Sequence, residues 1–205
     1  MISIVDYGSG NIQAFLNIFN KLGIKAQRAP DTLKLKEASH LILPGVGHFD
    51  HAMKKLNNSG LRDCLDNLVN DLKIPVLGIC VGMQMLADKS EEGMLPGLGW
   101  IPGNVHAFSS NSISSKLPLP HMGWNKLNIN QSVLISSENN NHLSEYYFLH
   151  SYYFDAKDKS HVNATSDYGF NFDAVINHQN IFGVQFHPEK SHEYGEKLLK
   201  NFSTI

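Results

Sequence analysis

Cys80 stands in the pentapeptide Gly78-Ile79-Cys80-Val81-Gly82, directly after an apolar run and ahead of a predicted helix. Glycine on both sides of a nucleophile at a strand-to-helix turn is the G-x-Nu-x-G pattern of a nucleophile elbow. A Cβ at either flank would crowd the turn, and the side chain between them is left exposed above the sheet. Such a turn aims the amide of Val81 at the place where an oxyanion forms, and the helix N-terminus favours negative charge on the sulfur. The same five residues also fit a small buried cysteine in a glycine-containing turn, because short glycine motifs recur by chance. Near the other end of the chain, His187-Pro188-Glu189 follows the apolar run Ile181–Phe186. Proline pushes the preceding residue toward extended backbone, so His187 and Glu189 can project to one side. A carboxylate there fixes the tautomer of the imidazole and stabilises its charged form, and cysteine, histidine and glutamate together supply nucleophile, general acid–base and orienter. The bland alternative for any histidine is a surface or satisfied side chain. Pro44-Gly45-Val46-Gly47 could offer backbone N–H groups to an anion, or be no more than a turn.

These groups need a scaffold that brings distant segments together. Ile2–Val5 is a short apolar run closed by Asp6-Tyr7-Gly8-Ser9-Gly10, after which Ile12, Phe15, Leu16, Phe19 and Leu22 recur at helical spacing until Gly23. A second run, Leu41–Leu43, ends in the Pro44–Gly47 segment, and Leu61, Cys64, Leu65, Leu68, Val69 and Leu72 then lie on one helical face. A third run, Val76–Ile79, leads into Cys80. Strands alternating with amphipathic helices predict a mixed, mostly parallel central sheet flanked by helices, an α/β fold whose ligands sit at the carboxyl ends of the strands. After Gly97 the pieces become short and β-like: Val105–Phe108, Lys126–Ile129, Tyr146–Leu149, Ala174–Asn177 and Ile181–Gln185, a smaller β-rich second half. A last amphipathic helix is predicted near Tyr194–Phe202. The polar stretches Ser109–Ser115 and Ser136–Ser144 read as surface loops, too short for linkers, so residues 1–205 are expected to form one domain.

Composition narrows the chemistry. With 42% apolar and 18% charged residues, the 205-residue chain has the make-up of a globular protein with a buried core. Lys plus Arg (17) nearly balances Asp plus Glu (19), and no basic cluster offers a footprint for nucleic acid. No apolar stretch reaches membrane-spanning length, the two cysteines lack metal or redox spacing, and the Met1 start has no signal-peptide pattern. A cytoplasmic protein without a membrane partner is expected. His48-Phe49-Asp50-His51 lacks a third ligand at a recognised spacing, so neither a metal nor another cofactor is expected. Cys64, among leucines on its helix, reads as a core residue.

Seven blocks extend the motif evidence along almost the whole chain: Asp6–Asn11 (DYGSGN), Leu43–Gly47 (LPGVG), Pro75–Gln84 (PVLGICVGMQ), Gly97–Trp100 (GLGW), Pro120–Asn125 (PHMGWN), His150–Tyr153 (HSYY) and Gly183–Ser191 (GVQFHPEKS). In this order they resemble the class I (triad) glutamine amidotransferases, and within them the glutaminase subunits of imidazole glycerol phosphate synthases. The resemblance implies hydrolysis of the side-chain amide of L-glutamine, with Cys80, His187 and Glu189 as the catalytic triad. It implies an oxyanion hole from Val81 and from Val46 or Gly47, completed by a peptide flip, and glutamine-binding contacts from Gly45, Gln84, Ser151 and Tyr152. It further implies a heterodimer with a (β/α)8-barrel cyclase that consumes the ammonia in histidine biosynthesis, with Asn11, Trp124, Tyr147 and Lys190 matching the partner interface or gate. The Gly97–Ile101 and Glu189–Gly195 segments also resemble a subgroup that feeds a surface-sugar amidotransferase. A stand-alone cysteine γ-glutamyl hydrolase could use the same triad, although the PHMGWN and HSYY blocks favour a partnered enzyme. A non-catalytic relative would lack a triad member, and all three are present.

Overall fold

The computed structural model describes residues 1–110, 117–131, 134–135 and 145–205. Strands β1 (Ile2–Val5), β2 (Ala26–Ala29), β3 (His40–Gly45) and β4 (Val76–Cys80) alternate with helices α1 (Ile12–Lys21), α2 (Thr32–Lys36), α3 (Phe49–Asn58) and α4 (Arg62–Asp66). The four strands pair in parallel in the order β2-β1-β3-β4, every residue of β1 and β4 being buried, as expected when helices cover both faces. A short helix α5 (Val81–Gln84) leaves the end of β4 directly.

The second half adds β5 (Lys89–Ser90), β6 (Gly103–Ala107), β7 (His121–Lys126), β8 (Asn128–Ile129), β9 (Glu145–His150), β10 (Tyr152–Ala156), β11 (Val162–Asp167), β12 (Asn171–His178), β13 (Ile181–Val184) and the closing helix α6 (His192–Phe202). Strand β13 returns to the middle of the sheet, parallel to β4, and from there β12, β10 and β6 continue it antiparallel. The result is a mixed sheet whose parallel half carries the glycine turns. Strands β7 and β9 form a separate antiparallel ribbon.

Several boundaries differ from the sequence expectation for identifiable reasons. The face that runs through Leu61, Leu65 and Leu68 is buried, but Leu72 is 60% exposed. The chain widens into a π-turn over Asn67–Asp71, closed by the Leu72 amide on the Asn67 carbonyl. One extra residue per turn rotates Leu72 off the apolar stripe. Cys64 is half-buried at the margin of the core, where partial burial pushes its thiol pKa up against a smaller opposing effect of Lys36. Val105–Phe108 lies within β6 except for Phe108, which opens a 3-10 turn, and Lys126–Ile129 is split between the end of β7 and β8. α6 begins two residues ahead of Tyr194. Of the two expected loops, Ser109 and Ser110 belong to the 3-10 turn, and positions 111–115 and 136–144 lie outside the described residues. Helix α3 sets Phe49, Ala52, Met53 and Leu56 into the core at helical spacing.

The elbow rests on backbone touching backbone. A Cβ on Gly82 would lie 2.0 Å from the Leu43 carbonyl oxygen, and one on Gly45 would lie 2.4 Å from the Gly82 nitrogen. Because both contacts are with main chain, neither neighbour can swing away. Gly82→Ala is therefore expected to destabilise the fold by about 1–3 kcal/mol or more through overpacking, read by urea unfolding. A loss below about 0.5 kcal/mol, typical of a surface site, would show that the strand β3 and helix α5 do not need this approach.

Candidate active site

Cys80 is the last residue of β4 and the start of the turn into α5, with φ 55° and ψ −113°. On one side Gly45 of β3 is its register partner, and on the other Val184 of β13 pairs with Ile79. The chain leaving β13 therefore runs past the elbow, and three residues after Val184 it reaches His187. The backbone of His187 is extended (φ −100°, ψ 96°) ahead of a 3-10 turn over Pro188–Lys190, as the proline dictates. That turn brings Glu189 Oε1 to 2.7 Å from His187 Nδ1. With Nδ1–H donated to the carboxylate, Nε2 is the nitrogen left for the sulfur.

Both His187 and Cys80 are buried to 3% exposure. Burial presses the pKa of His187 down, but hydrogen bonds and opposite charge from Cys80 and Glu189 outweigh it and hold the imidazole above its ordinary value. The structure thus brings together the three residues singled out as nucleophile, acid–base and orienter.

Beside them opens a cavity of about 490 Å³, within the range of small-molecule sites. Val46, Gly47, Val81, Gln84, Ser151, Tyr152 and Lys190 all line it with Cys80 and His187. Gly45 packs beneath, against Val81 and Gly82. Gln84 is 2% exposed and spends its two amide hydrogens inward, on the Tyr152 carbonyl at 3.0 Å and on Gln185 Oε1 at 3.1 Å. The Gln185 amide is turned in consequence so that its Nε2 lies 3.9 Å from Cys80 Sγ. The Val46 N–H is 3.3 Å from Ser9 Oγ, the same distance at which that hydroxyl approaches the Val46 carbonyl. Gly47, at φ 87°, follows this doubly held residue. Trp124, Tyr147 and Lys190 form one face: the Trp124 and Tyr147 rings are 6.1 Å apart and the Lys190 ammonium sits 5.5 Å above the Tyr147 ring. The Asn11 side chain caps α1, accepting from the Ala14 amide at 3.2 Å.

His48 and Asp50, weighed in the sequence for metal ligation, serve local structure. His48 Nδ1 accepts from the Asp50 amide, and Asp50 accepts from the amides of Met94 and Leu95, which pulls its carboxyl below the usual range.

Two histidines, His150 in the cavity wall and its neighbour His121, were not singled out by sequence reasoning, although they lie in the HSYY and PHMGWN blocks. His121 and His150 are register partners across β7 and β9. The Tyr152 carbonyl can only accept, so His150 Nδ1 donates to it at 2.8 Å, leaving His150 Nε2 to accept from His121 Nδ1 at 2.9 Å. His121 Nε2 then accepts from Asn125 Nδ2 at 3.2 Å, and that amide also donates to the Asp167 carbonyl at 2.8 Å. Every proton in this chain has one direction, and both rings are neutral. Burial lowers the pKa of His121 to about 4; burial, with His121 and His187 nearby, lowers that of His150 to about 3.

A family model described as Glutamine amidotransferase class-I matches residues 3–204. A protein of Bdellovibrio bacteriovorus named imidazole glycerol phosphate synthase subunit HisH is 49% identical over all of both chains. One of the same name from Leptospira interrogans is 47% identical, also over the full length of each. Among solved structures, one titled as a glutamine amidotransferase superposes with a TM-score of 0.74 at 18% identity, covering 99% of this chain and 97% of the other. That last likeness concerns the fold.

The neutral histidine pair has a measurable acid signature. Because both folded pKa values lie below the unfolded one, their contribution to stability is full above about pH 6.5 and lost as pH falls toward 4, by up to about 1.4 kcal/mol per pH unit for each ring. His187, with its raised value, acts in the opposite sense: its contribution is full below about pH 6.5 and is lost as pH rises toward about 10. Nitrogen NMR at pH 6 should show His121 and His150 neutral and protonated on Nδ1. Either ring charged, or protonated on Nε2, would contradict the network.

Proposed function

The chain belongs to the glutamine amidotransferase class-I family of glutamine-hydrolysing enzymes, and from that premise we propose that it is the glutaminase of an imidazole glycerol phosphate synthase, working in the cytoplasm as one domain paired with a cyclase subunit. The observation that carries the chemistry is the buried line from Glu189 through His187 to Cys80, at the mouth of the 490 Å³ cavity. The full-length identity to subunits of that synthase supports the pathway.

Glutamine enters with its amide toward Cys80. The committed hydrogens of Gln84 leave its Oε1 as the group free to face a ligand, an acceptor suited to the substrate ammonium. The sulfur attacks the amide carbon and the carbonyl oxygen takes up negative charge against the Val81 amide. His187 passes a proton to the nitrogen, the C–N bond breaks, ammonia leaves and a γ-glutamyl thioester remains. His187 then takes a proton from water, whose oxygen attacks the thioester, and the collapse frees glutamate and returns the sulfur. Glu189 holds the imidazole ring through both proton transfers. A second oxyanion donor comes from the Val46–Gly47 peptide once it turns away from Ser9, a motion open to a glycine already at φ 87°. One such donor is worth about 3–4 kcal/mol of transition-state stabilisation. While Ser9 holds the Val46 peptide groups, turnover is therefore slow and little ammonia is made without a taker. The face of Trp124, Tyr147 and Lys190, together with Asn11, receives the cyclase.

Cys80→Ala should abolish glutamine-dependent formation of imidazole glycerol phosphate by the complex and leave ammonia-dependent formation intact. Loss of both would refute the division of labour. Purification of the chain from its native cells should bring a barrel cyclase with it; a sugar-amidating enzyme in its place would keep the glutaminase chemistry and move the acceptor.

A further inference from the structure

We propose that Ser191 is a positioning residue of the glutaminase reaction, its hydroxyl fixing His187 against strand β9 and so setting the imidazole relative to Cys80. The inference rests on the glutaminase reading of the site. Ser191 occupies the N-cap position of α6, where a serine hydroxyl ordinarily accepts from an open helix amide, yet no such bond is made. The hydroxyl is spent elsewhere. It donates to the His187 carbonyl at 2.6 Å and accepts from the Tyr147 amide at 3.0 Å, while the His187 amide donates to the Tyr147 carbonyl at 2.8 Å. These three bonds form a closed ring in which both main-chain groups of His187 are tied, directly or through one oxygen, to those of Tyr147. Ser191 itself is fully buried.

The local backbone is distorted to keep this arrangement. His192 adopts φ 48°, a left-handed conformation unfavourable for a residue with a Cβ, and Gly195 sits so close to the Pro188 carbonyl that a Cβ would lie 1.8 Å from it. A helix start that forgoes its cap and begins in a strained conformation is explained by the bridge rather than by the helix. Strand β9 also touches the nucleophile, since the Cys80 thiol donates to the Leu149 carbonyl at 3.8 Å. One strand thus references both halves of the Cys80–His187 pair, and Ser191 is the joint on the histidine side.

The test compares Ser191→Ala, Ser191→Thr and Ser191→Asp in the complex with the cyclase. Threonine keeps a hydroxyl that donates and accepts. Aspartate is a good helix cap and can accept from Tyr147, but cannot donate to the His187 carbonyl. Alanine is expected to lower kcat for glutamine roughly 10-fold or more, the scale of an ångström-level misplacement, with KM within about 2-fold. Threonine should recover most of the loss. Aspartate should stay as slow as alanine even where it restores the melting temperature, and ammonia-dependent synthesis should be unchanged throughout. Wild-type kcat in the alanine variant, or activity that follows melting temperature and returns with aspartate, would overturn the proposal in favour of a capping role. Alkylation of Cys80 by iodoacetamide, followed by mass spectrometry, reads the same geometry without glutamine. It should slow in the alanine and aspartate variants and not with threonine, and equal rates in all would also overturn the proposal. A wild-type complex that fails to hydrolyse glutamine counts against the glutaminase reading alone, because the alkylation rates still decide the role of Ser191.

Discussion

Cys80 holds φ at 55° and ψ at −113°, a conformation that costs a residue with a Cβ on the order of 1–3 kcal/mol and persists only where its surroundings over-determine it. The surroundings here are main chain. Strands β3 and β13 flank β4 in parallel, and Gly45, Gly78 and Gly82 let the end of β3, the end of β4 and the start of α5 meet at distances that leave no room for a Cβ. From this one strained residue follow the placement of the buried Cys80 in the cavity wall, the aim of the Val81 amide and the proximity of the chain that leaves β13. Relief of the strain would move all three together, so the fold trades stability for a fixed attack geometry.

Three buried histidines within a few residues of the cavity show how the first hydrogen-bond partner decides the state of an imidazole. His187 meets a carboxylate and a thiol, and its charged form is favoured in spite of burial. His150 meets a carbonyl and another imidazole, so the loss of water outweighs the hydrogen bond to the Tyr152 carbonyl and the ring stays neutral. The difference suits their tasks. A proton must move on and off His187, whereas the pair behind it must keep one hydrogen-bond direction if the Tyr152 carbonyl is to stay where Gln84 also needs it.

Much of the site was legible because its signals are local. Cys80 lies between glycines, His187 precedes a proline, and the carboxylate follows within two residues, so residue type and backbone preference coincide over a few positions. The buried parallel strands β1, β4 and β13 were legible as apolar runs for the same reason. What escaped depends on pairing across distance or on backbone irregularity. His121 and His150 are 29 positions apart and meet only through the register of β7 and β9. The Ser191 hydroxyl sits at the N-cap position of α6 and acts on strand β9 instead, a pairing across 44 positions that no local pattern marks. Strand β2, with Gln27 and Arg28 in its four residues, lies at the edge of the sheet and carries no apolar alternation. The π-turn that expels Leu72 leaves no mark in the spacing of leucines, and the helix beginning at Phe49 is overshadowed in sequence by the flanking histidines, one of which turns out to cap it.

The β7–β9 ribbon pairs with no strand of the main sheet among the described residues. Its attachment along the edge of β9 is the His187–Ser191 turn, which takes up the amide and carbonyl of Tyr147 that a third strand would otherwise use. Two-stranded ribbons are marginal alone, so the segment that carries the catalytic base also completes a small sheet. Hydrogen exchange should therefore treat the Tyr147 and His187 amides as one cooperative unit, opening together below the free energy of global unfolding. Assembly of the active site and closure of this edge are then the same local folding event.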